Sequence, residues 1–304
     1  MTEKDNPGAS VPEASVHRAL LAEGQARAFV VQATPLVQRL REVHSLSRLS
    51  AAALGRLSMG AMMMATDQKI KGTRIMLRME GKGPLGGLVA DADMDGGLRG
   101  YVENPGVELP LNKKGKLDVS GGIGIPGLLT VVKDIRMKEP VQTSLPLATG
   151  EVAEDLATYY VQSEQIPSAV GLGVLLDGET VRGAGGYMIQ LLPDAQESFI
   201  AELEELLRSL PPVSSLAEEH QDPERLLRAV AGKWTVEWLG KKDFSFSCNC
   251  SRELAASLIK AALSGENAIT DSQELCCRFC NTSYLFSSEE CVRLMAEKNM
   301  EEPS

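Results

Sequence analysis

Cys248-Asn249-Cys250, then residues 251–276, then Cys277-Arg278-Phe279-Cys280: this stretch sets two close pairs of thiols on one terminal segment. Two such pairs, brought together by a folded segment, supply the four soft donors of a tetrahedral zinc site. The stretch therefore predicts a small metal-stapled unit over residues 244–304, with Cys248, Cys250, Cys277 and Cys280 as ligands of a single Zn2+. Cys276 stands next to Cys277 and is the alternative ligand; the Cys-x-x-Cys spacing favours Cys277. Four protein ligands leave no open position for water, so the expected role is structural, not hydrolytic. Metal binding at such sites contributes roughly 10–16 kcal/mol, enough for a unit with a small core to depend on it. Within each pair the sulfurs are close enough along the chain to join, and oxidation would remove two ligands at a time. Arg278, Lys241, Lys242 and Arg252 lie near enough in sequence to favour thiolate, although solvated charge is their commoner role.

Outward from this segment, the 304-residue chain is 43% hydrophobic and carries a formal net charge of −10. That length and apolar content suffice for a sizeable core and two or three folding units. The acidic balance argues against nucleic acid, because phosphate binding relies on clustered Lys and Arg. The opening residues Met1 to Glu13 are polar, with no apolar signal-peptide core, so the expected location is the cytoplasm. In that reducing compartment clustered cysteines serve metal or redox chemistry more often than permanent disulfides.

Along the chain, residues 1–15 read as a disordered lead-in. Residues 16–193 read as an α+β core domain: a strand at Ala26–Ala33, a helix opened by Thr34-Pro35, and a helix capped by Ser47. The second helix carries Leu54, Leu57, Ala61 and Met64 on one face. Arg56 and Asp67 interrupt any membrane-spanning reading, and a buried core helix is expected; the alternative is an adaptable client surface built from Met59, Met62, Met63 and Met64. Glycine-punctuated strands between Arg74 and Lys133 predict a largely antiparallel sheet, continued beyond a helix at Gly150–Gln162 by two strands joined at Asp177-Gly178. Residues 194–243 read as a helical linker and the start of a hairpin. Its first helix presents an apolar face of Phe199, Ile200, Leu203, Leu206, Leu207 and Leu210, and its second has Asp222 as N-cap, Pro223 in the first turn and Gly232 at the end. The alternating runs Trp234/Val236/Trp238 and Phe244/Phe246/Cys248 suggest a small hairpin leading into the first thiol pair. In the terminal unit, Ser251 caps a helix, Tyr284–Phe286 forms a strand, and Ser287 with Glu290 makes a capping box.

Several patterns mislead. Gly81-x-Gly83-x-x-Gly86 and Gly122-x-Gly124-x-x-Gly127 match the dinucleotide fingerprint, yet strand-like sequence follows each where that mechanism needs a helix N-terminus. Asp91-x-Asp93-x-Asp95-Gly96 resembles the start of a calcium loop, but Val102 occupies the position of the bidentate Glu, and a hairpin turn is expected. There is no Walker lysine loop, and His17, His44 and His220 sit in unrelated contexts, so no catalytic machinery is visible and the chain is not expected to be an enzyme.

The chain resembles the heat-shock protein 33 family over almost its full length. The resemblance is carried by Gly24-Gln-Ala-Arg-Ala-Phe-Val30, Gly81-Lys-Gly-Pro-Leu-Gly86, Val89-Ala-Asp-Ala-Asp93, Gly100-Tyr-Val-Glu-Asn-Pro105, Gly115-Lys-Leu-Asp118, Gly150-Glu-Val-Ala-Glu-Asp155 and Ser163-Glu-Gln-Ile-Pro-Ser-Ala-Val-Gly-Leu-Gly173. Leu191-Leu-Pro193, Leu210-Pro-Pro212 and the two cysteine motifs continue it. The resemblance implies a redox-regulated, ATP-independent holdase chaperone, inactive when reduced and zinc-bound. It further implies that oxidation joins Cys248 to Cys250 and Cys277 to Cys280, releases zinc, and unfolds the terminal unit and linker. The exposed surfaces would then hold unfolding or oxidatively damaged clients, with a homodimer as the oxidised form. The apolar linker face from Phe199 to Leu210 is the candidate client-binding surface, since release would create an exposed apolar patch. Cys276 and Cys291 depart from the family pattern and could divert oxidation. Competing expectations are a zinc-stabilised regulatory or nucleic-acid-binding protein, and an oxidoreductase using the Cys-x-x-Cys pair.

Overall fold

A computed structural model describes residues 12–262 and 271–301. The expected lead-in lies mostly outside them, but its last residues do not: the first strand already starts at Ala14. In chain order the elements are β1 (Ala14–Leu21), β2 (Ala26–Gln32), α1 (Thr34–His44), α2 (Arg48–Thr66), β3 (Arg74–Gly81), β4 (Gly87–Asp93), β5 (Gly97–Val102), α3 (Val119–Ile123), β6 (Gly127–Asp134), β7 (Val141–Pro146), α4 (Val152–Tyr159), β8 (Ser168–Asp177), β9 (Thr180–Leu191), α5 (Glu197–Ser209), α6 (Val213–Glu219), α7 (Pro223–Ala231), β10 (Val236–Phe246), α8 (Arg252–Ala262), β11 (Gln273–Cys276), β12 (Ser283–Phe286) and α9 (Ser288–Glu301). The chain divides into two compact units, residues 1–247 and 248–304. The fold class is α+β, as the sequence implies.

The larger unit is built on a ten-stranded sheet in the order β7-β6-β3-β4-β5-β10-β1-β2-β9-β8, antiparallel except where β10 meets β5. Helix α2 packs against strands from both halves of the sheet and is buried nearly throughout. Its small residues let strands approach, and its methionines fill the irregular gaps: Met59, Met62, Met63 and Met64 are all buried, which settles their place in the core. Ser47 caps the helix, accepting the Ser50 amide at 3.1 Å.

Both glycine fingerprints serve one backbone contact. The Gly83 amide donates to the Ile123 carbonyl at 2.8 Å and the Leu85 amide to Gly122 at 2.9 Å, and a Cβ on Gly81 or Gly83 would collide with carbonyl oxygens of the facing segment. These glycines are required by close approach between two chain segments. The aspartate motif is a hairpin turn whose Asp93 carboxylate accepts the amides of Asp95 and Gly97, both at 2.9 Å.

The hairpin expected at residues 234–248 does not form. Val236–Phe246 is one continuous strand, β10, wholly inside the larger unit. It pairs with β1, and the register shifts at Arg18/Ala19: Arg18 faces Gly240 while Ala19 faces Trp238, leaving Leu239 as the extra residue. A β-bulge, with Gly240 at φ +147°, accounts for the break in alternation that suggests a turn.

Helices α5, α6 and α7 cover the outer face of β1, β2 and β9. Phe199, Leu203, Leu216, Leu226, Leu227, Val230 and Ala231 are buried there with Ala19, Leu21, Ala28, Val30, Tyr187 and Ile189. The seat of α6 is glycine: a Cβ on Gly173 of β8 would strike the Ser214 backbone, and one on Gly183 of β9 would lie 2.6 Å from the Glu218 nitrogen. The buried Gln32 amide donates to the carbonyls of Ala217 and His220 and so holds the far end of α6. Helix α7 starts as its sequence predicts, with the Asp222 carboxylate accepting the Glu224 amide at 2.9 Å and Gly232 closing it at φ +58°.

Candidate metal centre

Among the described residues, the unit of residues 248–304 has a core of a few side chains. Ala255 and Ile259 of α8, Phe286 of β12 and Cys291 of α9 are buried, with Ala256, Leu275, Tyr284 and Leu294 packed around them. Helix α8 begins at Ser251, whose Oγ accepts the Leu254 amide at 3.2 Å. Helix α9 begins at the capping box, in which the Ser287 amide donates to Glu290 at 2.9 Å and the Glu290 amide to Ser287 Oγ at 3.3 Å. Arg252 spans the two helices: its guanidinium lies 4.4 Å from the Phe286 ring centre and 2.8 Å from Glu290.

Strands β11 and β12 are joined by the tight turn that carries Cys277 and Cys280. The Cys277 amide donates to the Thr282 carbonyl at 2.9 Å, the Cys277 carbonyl accepts from Asn281 at 2.8 Å and from Cys280 at 3.3 Å, and Asn281 adopts a left-handed φ of +56°. This turn aims both sulfurs at Cys248 and Cys250. The four Sγ atoms lie within 4.8 Å of one another. Cys248 and Cys277 are 3.7 Å apart, and Cys250 and Cys280 3.3 Å. A tetrahedron with Zn–S bonds of about 2.3 Å has S···S edges of about 3.8 Å, so the cluster is close to the size that zinc requires. Among the described residues its donors are thiols alone, with no carboxylate or imidazole in the group, which is the set of a closed structural site.

The sulfurs are not equivalent. Burial, joined by contacts with the neighbouring thiols, pushes the Cys248 thiol up to about 12, and burial also raises that of Cys277. Burial acts against Cys280 too, but the Thr282 hydroxyl and amide, with Cys250 and Cys277, outweigh it and hold the thiol down to about 7. The Tyr284 hydroxyl donates to Cys250 Sγ at 3.2 Å, and this bond pushes the phenol up to about 12.

Cys276 stands outside the cluster. It is exposed on β11 opposite Ser283, and strand alternation directs it away from the face that Cys277 uses. Cys291 is fully buried in the small core. The sequence reading missed Thr282 and Tyr284, whose only signal is their position just beyond Cys280. Of the apolar linker face, Phe199 and Leu203 are buried against the sheet of the larger unit, while Ile200, Leu207 and Leu210 pack partly buried around them, and Leu206 lies half-exposed beside Gly232.

An α+β unit followed by a compact four-thiol unit defines a protein whose tail has the ligands to hold a metal ion, and the comparisons with known proteins narrow that class. The family model described as "Hsp33 protein" matches residues 14–287. The 33 kDa chaperonin of Enterococcus faecalis is 40% identical over 286 residues, covering 92% of this chain and 95% of that protein. The 33 kDa chaperonin of Halalkalibacterium halodurans is also 40% identical over 286 residues, covering 92% and 98%. The crystal structure of the 33 kDa chaperonin from Thermotoga maritima superposes with a TM-score of 0.84 at 35% identity, covering 95% of this chain and 99% of that one. The chain belongs to the Hsp33 family. No helix among the described residues is long and apolar enough to cross a membrane.

Proposed function

We propose that this protein is a redox-regulated, ATP-independent holdase chaperone of the cytoplasm. In the reduced state Cys248, Cys250, Cys277 and Cys280 hold one Zn2+, which supplies folding energy to a unit whose own core is small. Oxidation joins Cys248 to Cys250 and Cys277 to Cys280, as the family resemblance implies, and the metal leaves because a disulfide sulfur no longer offers thiolate charge. Ser247 alone separates β10 from Cys248, so disorder in the tail begins at the end of a strand of the larger unit. Release of α5–α7 uncovers two apolar faces together: Phe199, Leu203 and their neighbours on the helices, and Leu21, Ala28, Val30 and Ile189 on the sheet. Such a surface binds nonnative chains without nucleotide or turnover. Its partners are unfolded or oxidatively damaged proteins, and a second copy of the chain in the oxidised state, rather than nucleic acid or membrane.

The observation that carries the reading is the apolar seam under the linker helices, combined with a four-sulfur cluster of zinc dimensions at the adjoining segment. Light scattering of a thermally denaturing client tests it. Peroxide-treated, mildly heated protein should suppress aggregation, with loss of one equivalent of zinc and appearance of two disulfides; equal suppression by the reduced, zinc-loaded form rejects the switch.

A further inference from the structure

Strand β8 is held from both of its faces. Val174 turns toward α2, where it packs on Gly55, and Gly173 turns the other way, against the Ser214 backbone at the start of α6. Where helix, strand and linker meet, the loop of residues 111–117 closes the remaining side of a cleft of about 330 Å³. Among the described residues three cations line it, Arg48, Arg56 and Lys116, and no carboxylate does, in a chain whose formal net charge is −10. Its apolar wall includes Leu117, Leu176 and Pro212. Apolar walls with a few convergent polar groups are the make-up of a small-molecule site.

The protein answers these cations incompletely. Arg56 Nη1 donates to Glu151 Oε2 at 2.8 Å, but Arg56 Nε is buried and has no hydrogen-bond partner. Burial lowers the Arg56 pKa below its usual range, and Glu151 only partly restores it. A buried N–H left unpaired is a cost to the fold unless another group meets the cation. The Arg48 guanidinium reaches Glu108 only at 3.8 Å, and Lys116 is exposed with no carboxylate partner among the described residues. Ser214 and Ser215 bring hydroxyls that no side-chain hydrogen bond among the described residues engages.

We propose that this cleft binds an organic anion, a small molecule with a carboxylate or phosphate head and a short apolar body. The head meets Arg56 and Lys116, and the body lies along Leu117, Leu176 and Pro212. One wall of the site belongs to the linker, so the anion binds the docked form and opposes release of α6. That second step rests on the linker-release reading; the site itself does not. A ligand that binds only the docked form stabilises it by mass action, and at about ten times Kd it lowers the release equilibrium about tenfold.

The test is calorimetric titration of the reduced, zinc-loaded, full-length protein with octanoate and with octyl phosphate, each below its micellar concentration. Either probe should bind at one site per chain, with amide NMR shifts concentrated at residues 111–117, 174–176 and 212–215; the tighter of the two names the head group. No binding by either, or shifts centred elsewhere, overturns the proposal. Octanamide binding equally well would remove the charge from the argument, and inorganic phosphate binding equally well would remove the apolar body; both overturn it. Lys116→Glu, on an exposed loop, should weaken binding roughly tenfold with the denaturant midpoint unchanged. Arg56→Lys keeps the cation but loses the Nε donor, and it should weaken binding too; parental affinity in both variants overturns the site. Should Arg56→Lys fail to fold, Lys116→Glu still decides. For the coupling, hydrogen exchange over residues 197–231 is followed in peroxide-treated protein with and without saturating octanoate. Octanoate should preserve protection in the parent and not in Lys116→Glu. Protection that persists without any ligand would reject linker release itself, whereas equal loss with and without bound octanoate overturns the coupling.

Discussion

Replacing Phe199 with alanine should release the linker helices without any oxidant. The ring is buried against the sheet and meets Trp234 edge-on, with centroids 5.0 Å apart and planes at 70°. Truncation of a buried phenylalanine costs about 3–5 kcal/mol, of which the aromatic contact supplies about 0.5–1.5 kcal/mol. At about 1.4 kcal/mol per tenfold, the docking equilibrium shifts toward the released state by roughly a hundredfold to a few thousandfold. The chain offers its own probe, since both of its tryptophans, Trp234 and Trp238, pack under these helices. In the reduced, zinc-loaded variant, tryptophan emission should move to the red, amides over residues 197–231 should lose hydrogen-exchange protection, and client aggregation should be suppressed without peroxide. Unchanged protection with parental emission would refute the packing argument. Full release with no gain in client binding would spare the packing argument and refute the assignment of this seam as the client surface.

Gly173→Ala attacks the same docking from the sheet side, because the new methyl collides with the Ser214 backbone; overpacking of about 1–3 kcal/mol should lift α6 and sensitise residues 213–219 to protease, while Gly106→Ala, with open space around it, changes nothing. Chelation of the metal at neutral pH should collapse hydrogen-exchange protection across residues 248–262 and 271–294 while the strands of the larger unit keep theirs, and a tail that stays protected after stripping would contradict the small-core argument. His17 gives a pH signature. Burial lowers its pKa below the ordinary 6.5, opposed by Glu224 and, more weakly, Asp222 and Asp243, and aided by Lys241; its ring stands edge-on to Trp238 at 5.9 Å. The unfolded chain therefore takes up the proton first, so this contribution to stability is full above about pH 6.5 and is lost as pH falls toward the depressed folded value. The denaturant midpoint should fall less between pH 7.5 and 5.5 in His17→Gln than in the parent; parallel losses would show that His17 does not report on this seam.

What the sequence determined by itself was whatever depends on neighbours along the chain. Ser47, Asp222, Ser251 and the Ser287/Glu290 pair could be read as helix starts because a cap needs only residues within one turn. Cys-x-Cys and Cys-x-x-Cys could be read as ligand pairs because each holds its two sulfurs within one short loop. The linker's apolar face was visible through its helical period, though not what it covers. Tertiary structure decided the rest. A lone strand and a hairpin share the same alternation, and only pairing with β1 showed that Leu239-Gly240 is a bulge inside β10. The two glycine fingerprints became intelligible as a single contact once the chain had folded them against each other. Spacing alone favoured Cys277 over Cys276, and the fold sets Cys276 exposed at the end of β11 while Cys277, one residue on, joins the cluster. The hydroxyls of Thr282 and Tyr284 had no reading at all, because a polar side chain acquires meaning only when folding sets it 3.2 Å from a particular sulfur.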